Sequence, residues 1–346
     1  MMRRALALAK RGWGKVAPNP MVGCVIARGD TILSEGYHKS FGSSHAEPDA
    51  LRLYSGSSQG VSLYVTLEPC THFGKTPPCT DLILKSGIKR VVIGAVDPNP
   101  AASGGAEILR KNGVACEIGL LDRESRSLNR AFFTQLAKKK PMVSLKLAST
   151  LDGCIARGDG SSQWITSIQA RRKVHYLRGG HQAILVGRNT LLRDDPQLDC
   201  RLVRLPSPAR VCIDRSGDLP SSLKIFKSGN VFYFSPRTRD DLPAHIHQVP
   251  LQEIQSYELI YKRVFDELYI RGIHSLFVEG GAGVASFFIE NDLVDYAYLF
   301  YGGTFFGRGG IRSFQGKSEP LFQIEKTQKL GDSFLLEGRF LCSPES

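Results

Sequence analysis

Between about residues 20 and 120 the chain alternates short apolar runs of strand length with stretches of helical period. MVGCVIARGDTILSEGYH reads as a hairpin whose two apolar runs are separated by Gly29-Asp30. A helix follows over residues 48–54, a strand over 61–67, a helix over 80–86, a strand over 90–96, and a helix over 106–112 that Gly113 ends. The start, MMRRALALAKRGWG, predicts an amphipathic first helix. Its ALALA patch is too short for a signal-peptide core and runs into Lys10 and Arg11. This order of elements predicts an α/β sandwich.

Lys138-Lys139-Lys140-Pro141 interrupts the pattern before MVSLKLAST opens a new strand. We place a domain boundary there, giving residues 1–141 and 142–346, consistent with a prior of about 150 residues per domain. The second half repeats the alternation without repeating the sequence. Strands are predicted at 143–147, 183–186, 210–213, 231–234, 275–278 and 296–300, and helices at 168–177, 259–271 and 282–290. The last helix directly follows SLFVEGGAG, so a glycine-rich turn and a helix N-terminus would face whatever sits above that strand end.

Composition narrows the partners. The 346 residues are 42% hydrophobic and 23% charged, ordinary for a soluble globular protein, and no run nears the roughly 18 apolar residues of a membrane span. A net charge of +12 admits nucleic acid, an anionic membrane surface or phosphorylated small molecules. The basic residues are scattered and no aromatic residues interleave with them as a stacking platform, which favours phosphorylated metabolites over nucleic acid. Eight cysteines, at 24, 70, 79, 116, 154, 200, 212 and 342, form no dense framework, so a reducing cytoplasm is expected.

Two of these cysteines carry chemistry. His45-Ala46-Glu47 precedes the strand VSLYVTL, after which come Glu68-Pro69-Cys70 and, eight residues on, Cys79. Imidazole and two thiolates suit zinc, and three protein ligands leave a fourth position for water, as a catalytic site requires. A helix starting near Ala46, with Pro48 tolerated in its first turn, sets His45 at its mouth and leaves Glu47 beside the metal as a proton carrier. Cys79 opens the next helix, where the dipole favours a thiolate. An H-x-E followed by P-C-x-x-C marks hydrolytic base deaminases; here the cysteine spacing is longer.

PNPMVGCVI, HAEPDAL, YVTLEPCTHFGKTPPC and VDPNP together resemble the deaminase half of the bifunctional riboflavin-biosynthesis deaminase/reductase family, in which the long cysteine spacing is the rule. The resemblance implies a cytidine-deaminase-like α/β/α domain. It also implies hydrolytic deamination of 2,5-diamino-6-(5-phosphoribosylamino)pyrimidin-4-one, with Zn2+ on His45, Cys70 and Cys79 and Glu47 as the catalytic residue. By matching positions Asn19 would contact the pyrimidine, and His72, Lys75 and Thr76 the substrate and its phosphate. Phe73 stands where His or Tyr is usual, and Pro48 where an aliphatic residue is.

LKLASTLDGCIA, GSSQWIT, RRKVHYLR, ILVGRNTLLRDDPQLDCR and FVEGGAGVASFF resemble the reductase half of the same family, so the likeness spans nearly the whole chain. It implies a dihydrofolate-reductase-like α/β domain that uses NADPH to reduce the ribosyl chain to ribityl. Ala148, Trp164, Thr190, Asp194 and the turn Gly280, Gly281, Ala282 and Gly283 would lie on the cofactor side. Lys146, Ser162, Arg178, Leu198, Arg201 and Glu279 would lie on the substrate side, with Arg178 and Arg201 suited to a phosphate. We read Asp194-Asp195-Pro196 as a turn with Asp194 near the cofactor, rather than as metal ligands. Departures from the family pattern are Thr150, Gly179, His181, Arg215 and Gly302-Gly303. Arg215, expected after a strand near the cofactor ribose, is a candidate for a 2′-phosphate. The competing readings are a deaminase with an inactive reductase-like scaffold domain, and a nucleic-acid base deaminase. No nucleic acid or membrane partner is expected, and a homo-oligomer is implied by the resemblance alone.

Overall fold

The chain divides into two units, Met1–Lys140 and Pro141–Ser346, and the computed structural model describes residues 1–73, 77–251 and 256–341. In the first unit a five-stranded sheet runs in the order β2-β1-β3-β4-β5, formed by β1 (Gly23–Arg28), β2 (Thr31–Tyr37), β3 (Val61–Leu67), β4 (Arg90–Ala95) and β5 (Ala115–Ile118). β1 pairs antiparallel with β2 and β3, whereas β3, β4 and β5 are parallel. Strand alternation sorts the side chains to two buried faces. Cys24, Ile26, Leu63, Val65, Val91 and Ile93 point to one core shared with α2 (Ala46–Leu53), α3 (Cys79–Lys85) and α4 (Gly105–Lys111). Val25, Ala27 and Val92 point to the other, where α1 (Met2–Ala9) inserts Met2, Ala5 and Leu8. The unit closes with α5 (Asp122–Leu128) and α6 (Arg130–Lys138), two helices the apolar pattern did not announce.

In the second unit β6 (Met142–Thr150), β7 (Cys154–Ala156), α7 (Ile168–Gly179), β8 (Ala183–Val186), α8 (Arg188–Asp194), β9 (Ala209–Ile213), β10 (Val231–Ser235) and β11 (Ile246–Pro250) come first. α9 (Tyr257–Ile270), β12 (Ser275–Val278), α10 (Ala282–Glu290), β13 (Tyr296–Gly302), β14 (Ile311–Arg312), β15 (Leu321–Leu330) and β16 (Ser333–Leu341) follow. Nine strands order as β11-β10-β9-β8-β12-β6-β13-β16-β15, parallel up to β13 and antiparallel beyond it, and β7 pairs with β14 alone. One face packs Leu145, Leu185, Val211 and Leu276 against α9 and α10 through Ile260, Val264, Leu268 and Phe288. On the opposite face Ser144 meets His181, which follows α7. The chain winds outward from β8 to β11 and then returns to insert β12 between β8 and β6. Parallel strands that reverse their winding leave a crevice at their C-terminal ends, where ligands bind.

Candidate functional site

In the first unit the site is assembled where β2, α2, β3 and α3 converge. His45 is the N-cap of α2, in extended conformation, and Ala46, Glu47 and Pro48 form the first turn, so the proline costs no hydrogen bond. Gly36 of β2 lets α2 come this close: a Cβ there would lie 2.3 Å from the Ala50 amide and 2.4 Å from the Ala46 carbonyl. Across from His45, Cys70 follows β3 and Cys79 is the first residue of α3.

The three ligand atoms, His45 Nδ1 and the two Sγ, lie within 4.8 Å of one another. His45 Nδ1 is 3.6 Å from Cys70 Sγ and 3.4 Å from Cys79 Sγ. A tetrahedral zinc with bonds of about 2.0 Å to nitrogen and 2.3 Å to sulfur has nitrogen–sulfur edges of about 3.6 Å, so the donor set fits the ion in kind and in spacing. The sulfurs compete for one proton. A hydrogen bond from the Cys79 thiol, helped by His45 and by the Cys79 amide at 3.4 Å, holds Cys70 well below the usual thiol range, and the same bond together with burial pushes Cys79 up. A cation displaces that proton, so its affinity rises with pH. Glu47 is buried, and burial first, then the Cys70 charge, pushes its carboxyl up to about 7.

Around these groups the scaffold is held by polar bonds. Glu68, next to the Pro69-Cys70 pair, is buried and accepts from the amides of Asp97 (3.2 Å) and Ala106 (3.0 Å), tying the β3 end to the β4–α4 loop. Asn19 lies 3.3 Å from His38 Nε2, and His38 Nδ1 lies 3.0 Å from the Ser44 carbonyl. The His38 proton therefore sits on Nδ1, and the Asn19 amide donates to Nε2, which leaves the Asn19 oxygen for another partner. Burial, the first cause, lowers the His38 pKa. Sequence reasoning missed His38; nothing in its local sequence distinguishes it from a polar loop histidine. His72 and Phe73 are exposed, while Lys75 and Thr76 lie outside the described residues.

In the second unit a cavity of about 1490 Å3 opens at the C-terminal ends of β6, β8, β9 and β12. Its walls include Ala148, Trp164, Thr190 and Asp194, and the turn from Gly280 to Gly283; they also include Lys146, Ser162, Arg178, Leu198, Arg201 and Glu279. Every residue assigned in the sequence to the cofactor side or the substrate side thus lines one space. Glu279 is its electrostatic centre: Arg178 reaches both carboxylate oxygens at 2.5 and 3.0 Å, and Lys146 Nζ lies 3.5 Å away. Burial pushes Glu279 up, but Arg178 first and Lys146 second outweigh it and hold it down to about 2. Arg178 also donates to the Asp199 carbonyl, and Arg201, half-exposed, pairs with the Asp199 carboxylate at 2.6 Å.

The opposite wall suits a dinucleotide. Gly281 caps α10 without a side-chain bond, so among the described residues no cap side chain covers the first amides of that helix, and a Cβ on Gly283 would meet nothing within 4 Å. A cavity above the roughly 300–1,000 Å3 of ordinary ligand pockets has room for a cofactor and a sugar phosphate together. The Arg171 guanidinium lies 3.9 Å over the exposed Trp164 ring, and that of Arg215 lies 4.7 Å over the Tyr257 ring. The Arg215 loop is tethered by Asp214, fully buried, which accepts from Tyr233, the Leu219 amide and Arg188. One local expectation is corrected. Asp194 is not in a turn but ends α8, and the chain leaves the helix through its C-cap Asp195, left-handed with a φ of 39°.

The departures from the family pattern are accommodated by their neighbours. Thr150 Oγ1 bonds Asp152 and accepts from the Cys154 amide; His181 is satisfied by the Leu177 carbonyl and Ser144. A side chain at Gly179 would run into Leu205, and one at Gly302 into the Ile165 carbonyl.

Comparison with known proteins agrees with this construction. The family model of the cytidine and deoxycytidylate deaminase zinc-binding region matches residues 1–95, and that of the RibD C-terminal domain matches 141–336. Fold and site thus define a two-domain protein with a cytidine-deaminase-like zinc domain and a reductase domain. The riboflavin biosynthesis protein RibD of Aquifex aeolicus is 38% identical over 344 residues, covering 97% of this chain and 96% of its own. A crystal structure of a diaminohydroxyphosphoribosylaminopyrimidine deaminase/5-amino-6-(5-phosphoribosylamino)uracil reductase from Thermotoga maritima is 41% identical with a TM-score of 0.89, covering 98% of this chain and 97% of that one. Acinetobacter baumannii RibD is 33% identical with a TM-score of 0.87, covering 99% and 98%. The chain belongs to the RibD family.

Proposed function

We propose that the chain performs both reactions for which its Thermotoga relative is named. It deaminates the diaminopyrimidinone that carries a ribosylamino 5-phosphate in residues 1–141, and reduces the ribosyl chain of the product in residues 142–346. The observation that carries the reading is the presence of two complete constellations in one chain: the His45, Cys70 and Cys79 donors around a buried Glu47, and the Glu279–Arg178–Lys146 cluster facing a glycine turn.

Zinc on His45, Cys70 and Cys79 supplies the Lewis acidity that makes a water nucleophilic near neutral pH. Glu47, buried beside these donors, would take a proton from that water and hand it to the exocyclic amino nitrogen, which leaves as ammonia. Asn19, its amide turned by His38, holds the pyrimidine through its oxygen, and His72, Lys75 and Thr76 take the remaining substrate contacts. NADPH supplies the hydride for the second reaction. Ala148, Trp164, Thr190, Asp194 and the turn Gly280, Gly281, Ala282 and Gly283 bind it. Lys146, Ser162, Arg178, Leu198, Arg201 and Glu279 orient the sugar phosphate, with the Arg178–Glu279 pair fixing the guanidinium. The seven described cysteines are free, as in a reducing cytoplasm, and no helix among the described residues is long and apolar enough to cross a membrane. The edge strand β15 exposes Leu321 and Ile324, which favours self-association into a homo-oligomer, to be measured by light scattering.

The test supplies the phosphoribosylaminopyrimidine with and without NADPH and follows ammonia release and cofactor absorbance separately. Ammonia release that needs zinc but not NADPH, followed by cofactor oxidation, is the expected result. Ammonia without any cofactor oxidation would instead support the inactive scaffold.

A further inference from the structure

His175 is a buried polar ring of the reductase cavity that none of the roles above uses. His175 is on α7, four residues after Arg171 and three before Arg178, so the three share a helix face, and all three line the cavity. His175 is only 5% exposed, and its Nδ1 is sealed from solvent with no hydrogen-bond partner. Among the described residues nothing bonds Nε2 either. A proton on the sealed Nδ1 would be a stranded donor, the more costly arrangement; with the proton on Nε2, the ring keeps its donor for whatever enters the cavity. Burial, then the charges of Arg178 and Arg201, push the ring down to about 4, so it is neutral near pH 7.

The neighbourhood calls for such a donor. Arg178, Arg201 and Lys146 outnumber Glu279 and Asp199 by one positive charge, which favours an anion. Yet each nitrogen of the Arg178 guanidinium already has a bond, to Glu279 or to the Asp199 carbonyl. We propose that His175 is a further substrate-binding residue of the reductase unit, donating from Nε2 to the phosphate ester of the sugar alongside Arg178 and Arg201. This rests on the reading that the cavity binds a sugar phosphate.

Steady-state kinetics of the full chain on the deaminated substrate test it, with NADPH affinity measured independently by fluorescence. His175→Ala should raise KM about tenfold with kcat changed by no more than about twofold, because an interaction equal in ground and transition states is lost. NADPH affinity should not move, and His175→Gln, which restores a donor, should recover part of the KM. On the dephosphorylated substrate wild type and His175→Ala should have equal kcat/KM. An unchanged KM in His175→Ala, no recovery by His175→Gln, or an equal loss on the dephosphorylated substrate each overturns the assignment. So does a parallel loss of NADPH affinity, which would mark a packing role. A wild-type chain that does not reduce the deaminated substrate at all would instead overturn the reading beneath it.

Discussion

Two residues show how much a side chain's surroundings decide. Glu47 is a carboxylate by sequence, but burial and the Cys70 charge push it up to about 7, which suits a group that must accept and release a proton. Replacing it with Gln keeps shape and removes the proton carrier. Glu47→Gln should retain zinc by metal analysis, lose deamination by a factor of about 100 or more, and still reduce a pre-deaminated substrate. Loss of both activities in a folded variant would mean the sites are not independent. Arg215 is the complementary case, a charge that departs from the family pattern. Its place at the cavity rim above Tyr257 suits a 2′-phosphate. Since a bond to a charged group is worth about 1.5–3 kcal/mol, Arg215→Ala should reduce the preference for NADPH over NADH by about 10- to 100-fold in fluorescence titrations; an unchanged preference counts against the assignment. The zinc donors were legible because His45, Cys70 and Cys79 occur in a fixed order with Pro69 and Glu47. His38 and His175 were not, because their meaning comes from what faces them across the fold.

At the scale of elements, the legible parts were those with one clear period. The hairpin around Gly29-Asp30 and the strands at residues 61–67 and 183–186 have apolar runs bounded by turn residues, and they form as the pattern predicts. The C-terminal hairpin β15–β16 escaped because LFQIEKTQKL is largely exposed and shows no apolar face. Apolar contact is made across the pair, Phe322 against Phe340 with ring centroids 5.1 Å apart, and the strands run so close at Gly338 that a Cβ there would lie 2.0 Å from the Gln323 carbonyl. α8 was hidden by its short, charged sequence RNTLLRD, which reads as loop until Leu191 is seen buried. Contact between elements also controls the zinc site. Because α2 rests on β2 at Gly36, Gly36→Ala must lift the helix that carries His45 and Glu47. Such overpacking costs about 1–3 kcal/mol. Weaker zinc retention and slower deamination are expected, with NADPH binding unchanged; unaltered zinc affinity by competition with a chelator would show that the helix can shift without moving its ligands.

Over the whole molecule the two units answer to different conditions, because each has its own core and its own ligand. In the second unit His181 is buried between the Leu177 carbonyl and Ser144, and burial lowers it to about 4. A base whose folded pKa is depressed leaves the unfolded chain binding more protons as pH falls. Its contribution is complete above about 6.5 and is lost towards 4, on the order of 3 kcal/mol. Glu279, held down to about 2, adds stability that is complete above the ordinary carboxylate range and disappears only as pH falls towards 2. His175, lowered to about 4 first by burial, adds a loss over the same range, so acid should weaken the reductase unit in two steps, the first between pH 6.5 and 4. The deaminase unit depends instead on zinc, since the proton on its cysteine pair and the metal compete. In calorimetry a chelator at pH 7.5 should lower one transition, while NADPH should raise only the other. Lowering the pH from 7 to 5 should pull down the NADPH-responsive transition, and His181→Gln, which keeps a polar group without the ionisation, should flatten that slope in part, His175 carrying the rest. An NADPH-responsive transition that does not move between pH 7 and 5 would show that His181 does not couple protons to the stability of its unit.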